Sequence, residues 1–126
     1  MYALFVDDEV EFLQLMEKRL SRRGMAIVTA PDGQSALDIV TEAMKQPETM
    51  FQVVVMDVRM PGMDGLETLR HMKKIAPKLP VLLLTGHASL GVAVQGMDLG
   101  AYDYILKPMA INELIIKMEE AVRAAA

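Results

Sequence analysis

The 126-residue chain contains no cysteine and no tryptophan, and only three tyrosines and three phenylalanines. Without thiols it can form neither disulfides nor thiolate metal sites, and their absence fits a reducing cytoplasm. Long apolar runs are also missing. The longest span five to six residues, as in Pro80-Val81-Leu82-Leu83-Leu84, far short of the ~20 that a membrane-spanning helix needs. No basic, apolar leader precedes Asp7, Asp8 and Glu9, so no secretory signal is expected. Nor is there an excess of positive charge. Thirteen basic against seventeen acidic residues leave a net charge of −4, which argues against direct nucleic-acid binding.

What is present is apolar and regularly spaced. A hydrophobic share of 52% excludes disorder as the main state. A chain of this length forms one domain that buries about two thirds of its unfolded surface. Twelve methionines point to a core filled by adaptable side chains.

The stretch Phe51 to Gly65 organises the rest. Val53-Val54-Val55-Met56 reads as a strand buried on both faces of a parallel sheet. It stops at the carboxylate of Asp57, and Pro61-Gly62 and Asp64-Gly65 prevent its continuation. Four further apolar runs read as strands: Tyr2 to Val6, Met25 to Ala30, Val81 to Leu84 and Tyr102 to Leu106. Amphipathic segments alternate with them. The first carries Val10, Leu13 and Leu20 and ends near Gly24; the second starts at a capping Asp32. The third begins at Leu66, the fourth spans Ala88 to Leu99, and the fifth has Ile111, Leu114, Ile115, Met118 and Val122 on one face. Strict β/α alternation predicts a doubly wound parallel sheet of five strands with five helices, layered α/β/α.

The polar residues fall where such a sheet builds its sites. Asp7-Asp8 ends the first strand, Asp57 the third, Thr85 the fourth and Lys107 the fifth. Three carboxylates gathered on one edge repel: at about 5 Å and an effective dielectric near 20, each pair costs roughly 3 kcal/mol. A protonated carboxyl or a bound cation relieves this. An oxygen-only set selects a hard ion, with Mg2+ the natural candidate. An ammonium, a hydroxyl and a carboxylate nucleophile beside that ion make up apparatus for phosphoryl transfer.

Asp7-Asp8-Glu9, Asp57 followed by Met60-Pro61-Gly62-Met63-Asp64-Gly65, Thr85-Gly86-His87 and Lys107-Pro108 together resemble the receiver domain of bacterial two-component response regulators. The likeness covers essentially residues 1–126. Between Thr85 and Pro108 it is greatest to receivers of sigma-54-dependent and similar transcription activators. It implies a flavodoxin-like sheet of order 2-1-3-4-5. It also implies a cytoplasmic signalling domain, not an enzyme acting on other substrates. Asp57 would accept a phosphoryl group from a sensor histidine kinase or phosphotransfer protein. Asp7, Asp8, Asp57 and the backbone carbonyl of Arg59 would hold Mg2+. Lys107 would pair with the phosphoryl oxygens, Thr85 would move to them, and Tyr104 would swing inward behind it as the switch aromatic. Arg59 and His87 would border the phosphoryl group, while His71 and Tyr102 read as surface. The resemblance further implies a cis Lys107–Pro108 bond. Its output surface would be the face of the fourth helix, fifth strand and fifth helix, for which a second copy is one candidate partner. Two residues depart from the pattern on that face. Gly96 stands where Ala is usual, at about 1 kcal/mol, and Ala110 replaces a polar helix cap.

A haloacid-dehalogenase-like phosphatase also combines an Asp nucleophile, Thr, Lys and acidic magnesium ligands. It needs a second Asp two residues after the nucleophile, where this chain has Arg59. A flavodoxin-type electron carrier needs a phosphate loop where Asp7-Asp8 would repel the flavin phosphate.

Overall fold

The computed structural model describes residues 1–60 and 62–126; Pro61, part of the turn signal read above, lies outside the described residues. Five strands form one parallel sheet in the order β2-β1-β3-β4-β5: β1 Tyr2–Val6, β2 Ala26–Ala30, β3 Val53–Asp57, β4 Val81–Thr85 and β5 Asp103–Leu106. The helices between and after them are α1 Val10–Ser21, α2 Gly33–Ala43, α3 Gly65–Ile75, α4 Leu90–Asp98 and α5 Ile111–Ala125. The order expected from the sequence is the order found.

Strand residues alternate between two cores, as the pleat requires. Leu4, Val6, Val54, Met56, Val81 and Leu83 point to one side, where Ala36, Leu37 and Val40 of α2, Leu69 and Met72 of α3 and Ala93 of α4 meet them. Ala3, Phe5, Val53, Val55, Leu82 and Leu84 point to the other, under Leu13, Met16 and Leu20 of α1 and Leu114, Met118 and Ala121 of α5. Central strands covered on both sides need no polar face, which explains the unbroken apolar runs of β3 and β4. Met16, Met56, Met60, Met72 and Met118 are buried in these layers.

Helix ends differ in a way that bears on function. Asp32 caps α2 by accepting from the Ser35 N–H at 2.7 Å, and Asp64 caps α3 by accepting from Glu67 N–H at 2.9 Å. Neither α4, preceded by Ser89, nor α5, preceded by Ala110, has a side-chain cap. Two 3-10 turns, Pro47–Thr49 and His87–Ser89, were not separated in the sequence reading. The second includes Ala88 and Ser89, the first two residues expected in the fourth helix. Gly24, at φ +83°, lies two residues beyond the α1 C-cap, Arg22.

Gly96 turns out to be a packing residue. A Cβ there would lie 2.3 Å from Leu83 Cδ1 and 3.3 Å from Leu66 Cδ2, so its absence lets α4 rest on β4 and α3. Gly96→Ala therefore gains about 1 kcal/mol of helix propensity but meets an overpacking cost of roughly 1–3 kcal/mol. Urea unfolding should show a variant that is no more stable than the parent and up to ~2 kcal/mol less so. A clear gain in stability would mean that Leu83 yields freely.

Candidate functional site

Because the strands are parallel, their carboxyl ends share one edge that carries all five predicted polar positions, and four of them, Asp7, Asp8, Asp57 and Lys107, form one cluster. Asp7 follows β1 and is 1% exposed; Asp57 is the last residue of β3 and is 8% exposed; Asp8 is exposed. One carboxylate oxygen from each lies within 4.8 Å of the others.

Lys107, just past β5, closes the group. Its Nζ donates to Asp7 Oδ2 and to Asp57 Oδ2, each at 3.0 Å. The Lys107–Pro108 peptide is cis, and the Lys107 N–H donates to the Thr85 carbonyl at 2.7 Å. The ammonium also sits 4.6 Å from the centre of the Phe12 ring of α1, within cation–π range. The remaining carboxylate oxygens meet backbone: Asp7 Oδ1 accepts from Glu9 N–H and Asp57 Oδ1 from Arg59 N–H, both at 2.9 Å. Among the described residues no buried side-chain polar atom is left without a partner.

Two of these groups, Asp7 and Lys107, are shifted by their setting. Burial raises the Asp7 carboxyl above its ordinary value of 3.8, against the lowering effects of Glu9 N–H and Lys107. Burial alone would lower the Lys107 ammonium, but the hydrogen bonds and charges of Asp7 and Asp57 outweigh it and hold it above 10.5. One ammonium thus faces three carboxylates, an excess of negative charge made only of hard oxygen donors. That donor set fits a hard divalent cation.

Thr85 is fully buried at the end of β4, and its hydroxyl donates to the Gly86 carbonyl at 3.1 Å rather than to Asp57. Pleat alternation puts Thr85 and half-buried Tyr104 on the α4 side of the sheet, Tyr104 pairing in register with Leu83. His87 and His71 are exposed, and Tyr102 is exposed at the sheet edge.

Three features escaped the sequence reading. Gly65 looks like an ordinary turn residue, yet a Cβ there would lie 2.6 Å from Val58 Cα and 2.7 Å from the Asp57 carbonyl oxygen. The loop after Asp57 folds back onto its own strand end, and the Gly65 N–H donates to the Val58 carbonyl at 3.1 Å. Arg59 Nε donates to Ser89 Oγ, joining that loop to the turn before α4. Phe12 under Lys107 is the third. Each depends on contacts across the chain, and only the glycine left a local signal.

The profile of the response regulator receiver domain matches residues 3–119. The chain belongs to this family. The receiver is 37% identical over 120 residues to the DNA-binding transcriptional regulator NtrC of Klebsiella pneumoniae, covering 95% of this chain and 24% of the relative. It is 38% identical over 120 residues to the response regulator MprA of Mycolicibacterium vanbaalenii, covering 95% of this chain and 49% of that one. The chain therefore spans about a quarter to a half of the length of these curated relatives. Among solved structures, a response regulator receiver domain protein from Clostridium thermocellum superposes with a TM-score of 0.90 at 34% identity, over 98% of this chain and 94% of that one. These likenesses bear out the receiver reading and its flavodoxin-like fold, and they lend no support to the phosphatase alternative.

Proposed function

We propose that the receiver takes a phosphoryl group onto Asp57 from a phosphohistidine of a sensor histidine kinase or phosphotransfer protein. The observation that carries this is the 3.0 Å pair between Lys107 and an Asp57 carboxylate that reaches the rim of the sheet beside two further acids. An Asp57 oxygen attacks phosphorus, the P–N bond breaks, and its electron pair stays on the imidazole, leaving an acyl phosphate on Asp57. Asp7, Asp8, Asp57 and the Arg59 carbonyl are the groups that would hold Mg2+. That ion, when bound, supplies positive charge between an anionic nucleophile and an anionic phosphoryl group.

The chain's own residues do the rest. Lys107 presents an ammonium that can pass from the Asp57 carboxylate to the phosphoryl oxygens. The Thr85 hydroxyl gives up its bond to the Gly86 carbonyl and turns to the same oxygens. The space it leaves lies on the side where Tyr104 is packed, which makes α4, β5 and α5 the responsive face. That face exposes Val94, Met97, Tyr102 and Ile116, apolar enough to meet a partner or a second copy of the receiver. The net charge of −4 speaks against direct nucleic-acid contact by residues 1–126, which we read as one receiver domain. Among the described residues no helix is long and apolar enough to cross a membrane, and we assign the domain to the cytoplasm. The only chemistry proposed for it is its own phosphorylation and dephosphorylation.

Two measurements test this. Asp57→Asn keeps the side-chain shape and removes the nucleophilic charge, so incubation with acetyl phosphate and Mg2+ should add one phosphoryl mass to the parent and none to the variant. Comparable labelling of both would move the acceptor elsewhere. Mg2+ should also stabilise the fold by RT ln(1 + [L]/Kd), about 2.7 kcal/mol at one hundred times Kd. Asp8→Ala should abolish most of that gain. A melting temperature indifferent to millimolar Mg2+ in the parent would contradict the site.

A further inference from the structure

Ser89 is a serine at the start of a helix that does not cap it. It is 3% exposed, it precedes Leu90, the first residue of α4, and its side chain makes no bond to the α4 backbone. Serine is among the preferred residues at that position because its oxygen can accept an N–H of the first turn. Here the oxygen accepts instead from Arg59 Nε. The Arg59 backbone N–H meanwhile donates to Asp57 Oδ1. One residue therefore touches the acceptor with its backbone and the start of α4 with its side chain.

The turn between β4 and α4 has a second tie to the site. The Gly86 carbonyl accepts both the Thr85 hydroxyl, at 3.1 Å, and the Ser89 N–H, at 3.0 Å. A group that attracts Thr85 takes one of these two donors away. The same group, if anionic, attracts the Arg59 guanidinium, which is exposed beside Asp8 and Asp64 on the wall of a 460 Å³ cleft that also includes Val92 of α4.

We infer that Arg59 and Ser89 form a latch that keeps α4 uncapped in the unmodified receiver. The inference rests on Asp57 being the phosphoacceptor. A phosphoryl group there brings charge of about −1.5 to −2 and strong acceptor oxygens, and these draw the guanidinium off Ser89 Oγ. Thr85 turns at the same time and loosens the Gly86 turn, so Ser89 can leave its present φ −113°, ψ 14° for the extended backbone of an N-cap. Its freed oxygen then accepts the N–H of Gly91 or Val92. Arg59 and Ser89 are positioning residues in this scheme. They carry the event at Asp57 to α4 by exchanging one hydrogen-bond partner.

Hydrogen exchange of the first α4 turn, with intact mass recorded on each sample, tests the latch in four proteins: the parent, Arg59→Met, Ser89→Ala and the double variant. Acetyl phosphate with Mg2+ is the phosphoryl source. In the parent, protection of the α4 amides should rise about fivefold on phosphorylation, the equilibrium shift that gaining one cap gives. Arg59→Met should show most of that rise without any phosphoryl donor, because Ser89 is already free. The double variant should lose it again, an outcome that a merely structural role for either residue does not produce. Unchanged or lower α4 protection in unmodified Arg59→Met, with an unaltered melting temperature, would overturn the latch. So would a parent-like gain in phosphorylated Ser89→Ala. Absence of a mass shift in the parent would instead strike at the assignment of Asp57, while the donor-free comparison of the parent, Arg59→Met and the double variant still decides the latch.

Discussion

One ammonium shared by two buried carboxylates is the constraint on which this receiver's site depends. Asp7, Asp57 and Lys107 come from residues fifty and a hundred positions apart, and only the parallel sheet brings them within 3.0 Å. Without Lys107, two little-exposed carboxylates would face each other with an exposed third beside them, at a cost of roughly 3 kcal/mol per pair. With it, the cluster is held together but not neutralised. Burial raises the Asp7 carboxyl, and the charge of Asp57 adds to that effect, while Lys107 and the Glu9 N–H oppose it.

The surroundings divide into parts that hold still and parts that can respond. β3 is buried throughout, α3 is capped by Asp64, and Gly65 lets the loop after Asp57 press against the Val58 backbone. These fix Asp57. On the other side, α4 begins without a side-chain cap, carries Gly91 and Gly96, and is joined to the site through Thr85, Gly86, Ser89 and Arg59. Low intrinsic helix propensity and missing caps lower the free energy of local opening. The element least secured by its own sequence is thus the one joined to Asp57 through Arg59.

The sheet and the acid–lysine edge were legible in the sequence for a simple reason. Each strand announces itself by a local apolar run, and each polar residue stands at the end of its own run, so parallel pairing alone gathers Asp7, Asp8, Asp57, Thr85 and Lys107 on one side. The capping role of Asp32 is equally local, since its partner is three residues away. What could not be read depends on which residues meet across the fold. Gly96 reads as a weak point of a helix until Leu83 is seen beneath it. The resemblance places Arg59 beside the site, but its partner Ser89 stands thirty residues away and carries no local signal. Ala88 and Ser89 read as the start of the fourth helix because neither carries a stop signal, yet both belong to the turn His87–Ser89.

Lys107 is the shared counter-charge of the site. Its folded-state pKa lies above the unfolded value near 10.5, so its contribution to stability is complete below about pH 10.5 and is lost as pH rises through the folded value. The direct measurement is an NMR titration of the Lys107 ammonium in the metal-free receiver, repeated with Asp57 changed to Asn. The midpoint should lie above 10.5 and fall when the Asp57 charge is removed. A midpoint at or below 10.5 in the parent, or one indifferent to Asp57, would contradict Lys107 as the shared counter-charge.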